Sequence, residues 1–358
     1  MQTCCVCLDE KQLIPLETCS HGICSKCIVR VFRTDPRCPL CRESSGNDLW
    51  DEASQDEPVE VLSSQYLNQT LSGHSEVVTA VAVFETPDGA RVVSGGADKT
   101  VKICDVASGA CLCTLSGHTD WVRAVAVFLD GSKIVSGSDD KTVKIWDVAS
   151  GQERYTLSGH SGWVRDVAVF RDGSRIVSAS DDGYVKVWDA TSGENLLTLT
   201  GHSDNVISVA VFPDGSRIVS GSVDESVKVW DATSGEYMRT LVGHSGDVIG
   251  VAVFPDCSRI VSGSADWSVK VWDATSGANL LTLTGHTWGV TYVTVFRNGS
   301  RIVSGSGDGY VKVWDATSGE NLLTLAGHND YVCGVAMFAD GTRVVSGSYD
   351  GTVKIWNL

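Results

Sequence analysis

The feature that most constrains the fold is a Gly-His dipeptide that occurs seven times at nearly constant spacing. The spacing is 44 residues once and 42 residues five times, and the histidines are His74, His118, His160, His202, His244, His286 and His328. Each unit continues with an alternating run (Val-Ala-Val-Phe), a turn, a second run (Arg-Ile-Val-Ser-Gly-Ser), a turn with Asp, and Val-Lys-Val-Trp-Asp. Period-two alternation between Asp-Gly and Ser-Gly turns predicts four short antiparallel strands per unit.

Repeats of about 42 residues with Gly-His and Trp-Asp marks resemble the WD40 family, whose units are the blades of a β-propeller. The resemblance covers residues 65–358 and implies a closed seven-bladed propeller. Residues 65–71 read as an outer strand without a blade of its own, and the last unit stops after its third strand. We therefore expect the first strand to complete the seventh blade, which removes exposed edges. The repeats are expected at about 73–116, 117–158, 159–200, 201–242, 243–284, 285–326 and 327–358.

The same resemblance gives the repeated histidines a structural role. In the family this His is hydrogen-bonded with a turn Asp, a strand Ser and the Trp, which in the second unit are His118, Asp140, Ser136 and Trp146. Catalytic His–Asp pairs are the alternative, but seven copies favour a framework. Two local departures stand out: Cys104 replaces Trp in the first blade, and Cys257 takes the Gly position of an Asp-Gly turn.

The N-terminal segment carries a second pattern, because eight of the thirteen cysteines lie before position 42. Four close pairs supply eight sulfur or imidazole ligands, enough for two structural Zn²⁺ ions in closed tetrahedral sites. These ligands are Cys4, Cys7, Cys19, His21, Cys24, Cys27, Cys38 and Cys41. So short a segment has too little core to fold unaided, and zinc binding can supply the missing stability.

This order of ligands, with His fourth, resembles the RING finger and differs from the PHD finger, where His is fifth. By that resemblance residues 1–42 form a small α+β domain with interleaved ligands. Cys4, Cys7, Cys24 and Cys27 would hold one zinc, and Cys19, His21, Cys38 and Cys41 the other. RING fingers usually act as E3 ubiquitin ligases that bind a ubiquitin-charged conjugating enzyme and contribute no nucleophile.

The positions that contact the conjugating enzyme in this family can be compared one by one. Val6 and Pro39 match the apolar residue before the second ligand and the proline of the final Cys-Pro-x-Cys. Arg42 matches the arginine that holds the thioester in an attackable pose, which is catalysis by positioning. Val31 departs from the pattern, since many active members have a bulky aromatic residue there.

Charge is unevenly distributed within the net −16. Residues 43–64 contain seven acids and no base, and read as an acidic, disordered linker without the coiled coil that similar ligases often have. A chain this acidic has no general attraction for nucleic acid or an anionic membrane. No apolar run is long enough for a membrane span, and the N-terminus does not resemble a secretory signal. We expect a cytoplasmic or nuclear protein that is not secreted.

Positions that vary among nearly identical repeats indicate where a partner binds. They lie three and five residues after each His and beside the turn Asp, which family geometry places at one mouth of the central channel. Four tryptophans lie at or beside these positions: Trp121, Trp163, Trp267 and Trp288. Because Trp, Tyr and Arg often dominate binding energy, we predict that the mouth binds a protein or peptide substrate. The predicted substrate-binding residues are Trp121, Arg123, Trp163, Arg165, Trp267, Tyr331 and Tyr349.

Within that set, the sharpest hypothesis is a patch built by blades two and three from Trp121, Arg123, Trp163 and Arg165. Its arginines suit an acidic or phosphorylated peptide, although Asp139 and Asp181 nearby dilute that charge. Sequence drift on an unused face is the alternative. The sequence as a whole predicts a single-chain RING-type E3 ubiquitin ligase whose propeller recruits the substrate or an adaptor. A non-enzymatic scaffold with a structural zinc finger is the alternative, favoured by Val31 and the missing coiled coil. A hydrolase or catalytic metalloenzyme is disfavoured, because no histidine is free and the zinc ligand sets are complete.

Overall fold

The computed structural model describes residues 66–358 and the backbone of three short strands that precede them. The chain divides into two compact units, Met1–Pro58 and Val59–Leu358. In the first unit, β1 (Cys4–Leu8) pairs antiparallel with β2 (Gln12–Leu16). The rest of the predicted zinc finger, with any helix it contains, lies outside the described residues.

The second unit begins with β3 (Val61–Leu62) and β4 (Leu67–Ser72) and continues as a ring of seven blades. Blade 1 is β5 (Val78–Thr86), β6 (Gly89–Gly96), β7 (Thr100–Asp105) and β8 (Cys111–Ser116). Blade 2 is β9 (Val122–Val127), β10 (Lys133–Ser138), β11 (Val143–Asp147) and β12 (Glu153–Leu157). Blade 3 is β13 (Val164–Val169), β14 (Arg175–Ser180), β15 (Val185–Asp189) and β16 (Asn195–Leu199). Blade 4 is β17 (Val206–Val211), β18 (Arg217–Ser222), β19 (Val227–Asp231) and β20 (Tyr237–Leu241).

The other three blades repeat this plan. Blade 5 is β21 (Val248–Val253), β22 (Arg259–Ser264), β23 (Val269–Asp273) and β24 (Asn279–Leu283). Blade 6 is β25 (Val290–Val295), β26 (Arg301–Ser306), β27 (Tyr310–Asp315) and β28 (Asn321–Ala326). Blade 7 is β29 (Val332–Met337), β30 (Arg343–Ser348) and β31 (Thr352–Asn357), completed by β4. Between residues 66 and 358 the structure has strands and no helix, and so no helix long and apolar enough to cross a membrane.

Closure of the ring depends on the pairing of the two ends of the repeat array. Strand β4 runs antiparallel to β31, with Leu71 opposite Val353 and Thr70 opposite Lys354. The innermost strands also touch in a complete cycle, because β29 of blade 7 packs on β5 of blade 1. The predicted closed seven-bladed propeller is therefore confirmed, and no blade presents an unpaired third strand as an edge.

The hydrophobic core lies between neighbouring blades and not inside any one of them. Between blades 2 and 3, for example, Phe128 and Val135 pack with Ile176 and Trp188, all of them almost completely buried. The alternation along each strand sends one row of side chains toward each neighbour, so every blade depends on both adjacent blades.

A short strand lies where the sequence predicts a disordered linker, residues 43–64. Strand β3 pairs in parallel with β28, with Val61 opposite Thr324 and Leu62 opposite Leu325. The outermost strand of a blade has free backbone N–H and C=O groups on its outer side, and such an edge accepts an added strand. The alternating Val-Glu-Val-Leu sequence suits that pairing.

The predicted hydrogen-bonded set of the second repeat is confirmed. The indole N–H of Trp146 donates to the hydroxyl oxygen of Ser136 over 2.8 Å, and that hydroxyl lies 2.8 Å from Nε2 of His118. On the other side of the ring, Nδ1 of His118 lies 2.7 Å from Oδ2 of Asp140. One proton arrangement satisfies all four groups: Ser136 donates to Nε2, and Nδ1–H donates to Asp140. Blades 3–7 repeat the set.

The two local departures have structural consequences. In blade 1, Ser94 still bonds His74 over 2.8 Å but receives no indole N–H, because Cys104 occupies the Trp position. Cys257 has a φ of 61°, in the left-handed region where the equivalent turns of blades 2–4, 6 and 7 have glycine at φ values of 68–71°. A side chain there costs about 1 kcal/mol of strain.

Serine substitutions should reveal the difference between blades 1 and 2. Ser136→Ala leaves two buried groups unpaired, the indole N–H and His118, whereas Ser94→Ala leaves only His74 unpaired. We expect the free energy of unfolding to fall by about 3 kcal/mol for Ser136→Ala and by about 1–2 kcal/mol for Ser94→Ala. Urea titrations followed by tryptophan fluorescence measure both, and equal losses would contradict this account of the hydrogen bonds.

Candidate functional site

The variable side chains of the seven repeats meet at one mouth of the central channel. All seven residues five positions after the framework histidines line one open cavity of about 180 Å³. They are Thr79, Arg123, Arg165, Ile207, Ile249, Thr291 and Cys333. The backbone explains how other variable positions join them. In each blade the N–H of the residue before the turn Asp donates to the carbonyl three residues after the His, as Tyr349 does to Tyr331 over 2.9 Å.

On blades 2 and 3, each arginine of the mouth is held by an aspartate. Arg123 binds Asp139 through Nε and Nη2 at 2.9 and 2.7 Å, and Arg165 binds Asp181 in the same bidentate way at 2.7 and 2.8 Å. These are strong, geometrically specific pairs that neutralise both guanidinium groups.

Both guanidinium groups also stack on tryptophan. The Cζ atom of Arg123 lies 4.5 Å from the ring centre of Trp121, and that of Arg165 lies 4.9 Å from Trp163. Trp163 remains 42% exposed. The structure thus brings together the four residues of the predicted patch, but as a stacked, charge-neutral surface, which suits an acidic or phosphorylated peptide less well than the sequence suggests.

A second group of aromatic side chains lies on blades 5–7, and we call it the aromatic row: Trp267, Trp288, Tyr331 and Tyr349. The ring centres of Trp288 and Tyr331 are 6.3 Å apart, and those of Tyr331 and Tyr349 are 5.9 Å apart, both pairs tilted by about 30°. Gly307 makes this possible, since a Cβ on it would lie 2.3 Å from Trp288 Cδ1.

Trp267 extends the row toward blade 5. Its equivalents in blades 3 and 6 are Gly183 and Gly309. A Cβ added to them would lie 3.6 Å from the carbonyl oxygen of Asp204 and 3.5 Å from that of Asp330, each two residues after the framework His of the following blade. By the same repeat geometry the Trp267 side chain starts beside the backbone of Trp288. Trp267 is 52% exposed and has a φ of 70°, a strained conformation for a bulky residue.

Below the mouth, the channel contains a buried carboxyl group on blade 3. Asp166 accepts hydrogen bonds of 2.9 Å from the Ser208 hydroxyl and the Val209 N–H of blade 4. Burial outweighs these bonds and raises the pKa of Asp166 to about 6. The group links two blades and titrates well above an ordinary aspartate.

In the framework pair of blade 4, a neutral imidazole lies against a charged carboxylate. Burial lowers the pKa of His202 below its ordinary 6.5 in spite of the neighbouring Asp224. Burial opposes the charge of Asp224, but hydrogen bonds from Ser226, His202 and the backbone N–H of Ser203 outweigh it and lower its pKa to about 2. A buried imidazole with both nitrogens bonded in every blade is a structural element, so these pairs offer no general base.

The predicted residues of the zinc finger have no described side chains. The structure describes the backbone of Cys4, Val6 and Cys7 in β1. The predicted ligands Cys19, His21, Cys24, Cys27, Cys38 and Cys41, with the predicted contacts Val31, Pro39 and Arg42, lie outside the described residues. Seven thiols and one imidazole form a donor set that suits Zn²⁺.

The aromatic row is a feature that the sequence reasoning missed as a unit. The sequence predicts Trp267, Tyr331 and Tyr349 as substrate-binding residues and places Trp288 beside a variable position of the mouth, but does not include Trp288 among the binding residues. The sequence signal for including Trp288 is Gly307 in the same repeat, because any side chain there would occupy the space of the Trp288 indole ring.

The fold is that of a seven-bladed propeller, a class of domain that generally binds partner proteins, and comparison with known families agrees. The family model described as "WD domain, G-beta repeat" matches residues 65–105, 109–147, 151–189, 193–231, 235–273, 277–315 and 319–357. This chain belongs to the WD40-repeat family. The model described as "Ring finger domain" matches residues 2–42, so the chain also carries a RING finger, a class of domain that generally binds zinc.

Individual relatives match only parts of the chain. A protein named nuclear distribution protein PAC1 from Fusarium vanettenii is 42% identical over 77 residues, 19% of this chain and 17% of that protein. PAC1 from Arthroderma otae is 36% identical over 112 residues, 28% of this chain and 22% of that protein. A probable serine/threonine-protein kinase PkwA from Thermomonospora curvata is 56% identical over 45 residues, 13% of this chain and 6% of the kinase. The chain thus spans less than a quarter of each relative's length.

Replacing Asp166 with Asn should change how stability depends on pH. In the folded chain Asp166 protonates near pH 6, against 3.8 for an ordinary aspartate, so its titration adds stability as the pH falls through this range. The free energy of unfolding of the parent protein minus that of Asp166→Asn should therefore rise by about 2 kcal/mol between pH 7.5 and pH 4.5. Urea titrations at the two pH values measure the difference.

All other titratable groups are the same in both proteins, so their effect on stability cancels in this comparison. Asp204→Asn, which removes an exposed carboxylate from blade 4, is the matched control, and its difference should change less between the two pH values than that of Asp166→Asn. A pH-independent difference for Asp166→Asn would show that the buried carboxyl has an ordinary affinity for protons.

Proposed function

We propose that this chain is a single-chain RING-type E3 ubiquitin ligase. The zinc finger recruits a ubiquitin-charged conjugating enzyme, and the mouth of the propeller recruits a substrate or an adaptor. The observation that carries the proposal is the presence on one chain of a complete set of RING ligands, followed directly by Arg42, and a propeller with an exposed aromatic mouth. Tethering the two would raise the effective concentration of substrate near the thioester.

Within this proposal the zinc ions are structural. Cys4, Cys7, Cys24 and Cys27 hold one ion, and Cys19, His21, Cys38 and Cys41 hold the other. With both ligand sets complete no coordination position is open for chemistry. Binding of the metal supplies the stability that so short a segment cannot obtain from a hydrophobic core.

The ligase would act by positioning, without a covalent intermediate. Val6, Val31 and Pro39 form the surface that contacts the conjugating enzyme. Arg42 bridges that enzyme and ubiquitin and restrains the thioester in a geometry that a substrate lysine can attack. The acidic linker, residues 43–64, joins the finger to the propeller.

A non-enzymatic scaffold is the second candidate, and Val31 favours it. A valine offers less contact area than the bulky aromatic residue many active members have at this position, which would weaken affinity for the conjugating enzyme. In a scaffold both domains would serve assembly only, and Pro39 and Arg42 would have no role in catalysis.

Self-ubiquitination separates these candidates. With activating enzyme and a panel of conjugating enzymes, we expect the intact chain to form ubiquitin conjugates and Arg42→Ala to lower the initial rate by about tenfold or more. Cys24→Ala should abolish activity because it opens a zinc site. Arg33→Ala, which removes a finger arginine outside the matched contact positions, is the control and should keep the parental rate.

The decisive negative result is silence of the intact, zinc-loaded chain across a broad panel. That outcome would favour the scaffold. A rate for Arg42→Ala equal to that of Arg33→Ala would leave ligase activity in place but remove the positioning role of Arg42.

Metal content tests the zinc assignment separately. Elemental analysis should find about two equivalents of zinc per chain, since a closed structural site takes four ligands and eight are available. Removing the metal with a chelator should abolish ligase activity and leave unfolding of the propeller unchanged. Among the described residues, no group of three His, Cys, Asp or Glu side chains is placed to hold an ion.

A further inference from the structure

The formal charges at the mouth divide it into two unlike halves. At the variable positions beside each framework His and each turn Asp, blades 1–3 carry four acids and four bases. The acids are Glu76, Asp120, Asp139 and Asp181, and the bases are Lys99, Lys141, Arg123 and Arg165. The same positions of blades 4–7 carry four acids and no Lys or Arg. These acids are Asp204, Glu225, Asp247 and Asp330, and we call this half, blades 4–7, the acidic half.

The carboxylates of the acidic half have no cationic partner among residues 66–358. The Arg and Lys ion pairs found among these residues involve carboxylates of blades 1–3 and, on blade 7, the pair of Arg343 with Asp340. The carboxylates of Asp204 and Asp330 each accept the backbone N–H of the following residue, over 2.8 Å in both cases. Burial opposes the charge of Asp224 and Asp266, but hydrogen bonds outweigh it and lower the pKa of each to about 2, while burial lowers the pKa of His202 and His244, so these framework pairs carry negative charge. Every variable position of this half that carries a charge therefore attracts an approaching cation.

The aromatic row lies in this same half. Trp267 is 52% exposed, Trp288 44% and Tyr331 38%, so these rings present area to solvent where a soluble protein usually avoids it. Aromatic faces attract ammonium and guanidinium groups through the ring quadrupole, most strongly for Trp. An aromatic row in the same half as unpaired carboxylates therefore suits a cationic side chain.

Blades 1–3 are not matched to an anion in a comparable way. Arg123 and Arg165 are each bound bidentately by an aspartate, and a phosphate would have to displace a carboxylate already in ideal geometry. Lys99 donates to the carbonyl of Thr119 over 2.9 Å. Charge complementarity therefore favours a cationic partner over an acidic or phosphorylated one.

We propose that the acidic half of the mouth binds a lysine-rich segment of the partner protein, with ammonium groups lying over the aromatic row and pairing with Asp247 and Asp330. This inference rests on the proposed role of the mouth as the substrate-binding surface and adds the chemical class of the substrate. The segment that docks would also bring lysines, the residues to which ubiquitin is transferred, close to the recruiting surface.

The test is direct binding to the full-length chain, measured by fluorescence anisotropy. The probe is a short labelled peptide of alternating Lys and Gly, compared with peptides that carry Gln or Glu in place of every Lys. We expect the Lys peptide to bind at least about tenfold more tightly than the Glu peptide at low salt, and to weaken strongly as ionic strength approaches about 0.5 M.

Variants then locate the site. Trp288→Ala and Tyr331→Ala should each weaken binding of the Lys peptide by about twofold to fivefold, the value of an exposed cation–π contact. The double variant Asp247→Asn/Asp330→Asn should weaken binding and reduce its salt dependence. Tyr155→Ala and Glu236→Gln remove an exposed aromatic ring and an exposed carboxylate from the outer surface of blades 2 and 4, and should leave binding unchanged.

Three results would overturn the proposal: equal binding of Lys and Glu peptides, tighter binding of the Glu peptide or of a phosphopeptide, or Lys-peptide binding that all mouth variants leave unchanged. Thermal unfolding of each variant confirms that the propeller is intact. The assay needs neither conjugating enzyme nor ubiquitin. Lysine binding without ligase activity would refute the proposed enzyme alone, and ligase activity without lysine preference would refute this inference alone.

Discussion

The propeller depends on a buried chain of hydrogen bonds that runs, in blades 2–7, from an indole N–H through a serine hydroxyl and an imidazole to a carboxylate. In blade 2 it joins Trp146 on the third strand, Ser136 on the second, His118 before the first and Asp140 in the turn between the second and third. The hydrophobic core lies between blades, so within one blade these side-chain bonds add to the backbone hydrogen bonds of the sheet and tie the first loop and the turn to the strands. Every member is satisfied, which is the condition for a buried polar network to stabilise a fold.

The same bonds explain why the mouth can vary while the blades do not. The carboxylate of Asp140 also accepts the N–H of Thr119 over 3.0 Å and the hydroxyl of Thr142 over 2.6 Å, so both loops of the mouth are anchored through backbone or short side chains. Residues between these anchors face the mouth, and the fold does not depend on their side chains. A rigid frame that leaves such positions free can acquire a binding surface by side-chain replacement alone.

Much of the architecture could be predicted from the sequence because the repeats are regular. Seven Gly-His marks, the unpaired strand before the first blade and the missing fourth strand of the last together determined the number of blades and the closure, and the WD40 and RING families were both recognisable. The arginines and tryptophans of blades 2 and 3 were predicted at the mouth. Their bidentate pairing with Asp139 and Asp181 was not, because it depends on which rotamers two side chains select across a strand and a turn.

The aromatic row and strand β3 escaped prediction for related reasons. The row joins residues 82 positions apart, Trp267 to Tyr349, and needs Gly307 to make room, so it becomes visible only when blades 5–7 stand side by side. Strand β3 pairs with residues more than 260 positions away, at Thr324 and Leu325. Local alternation indicates that Val59–Leu62 can be extended, but it does not indicate which edge the segment meets.

The uneven charge of the mouth affects where a partner first docks as well as which partner binds. A partner with a cationic segment is attracted from a distance of about one Debye length and arrives at the acidic half, whereas the balanced charges of blades 1–3 exert little net pull. Each contact that then forms, a cation over an exposed ring or a solvent-exposed ion pair, is worth only about 1 kcal/mol or less. A surface built from such contacts holds its partner briefly and exchanges it readily. In a ligase that property is useful, because a lysine bound tightly by Asp247 or Tyr331 could not leave to attack a thioester, while a loosely held segment keeps its neighbouring lysines available.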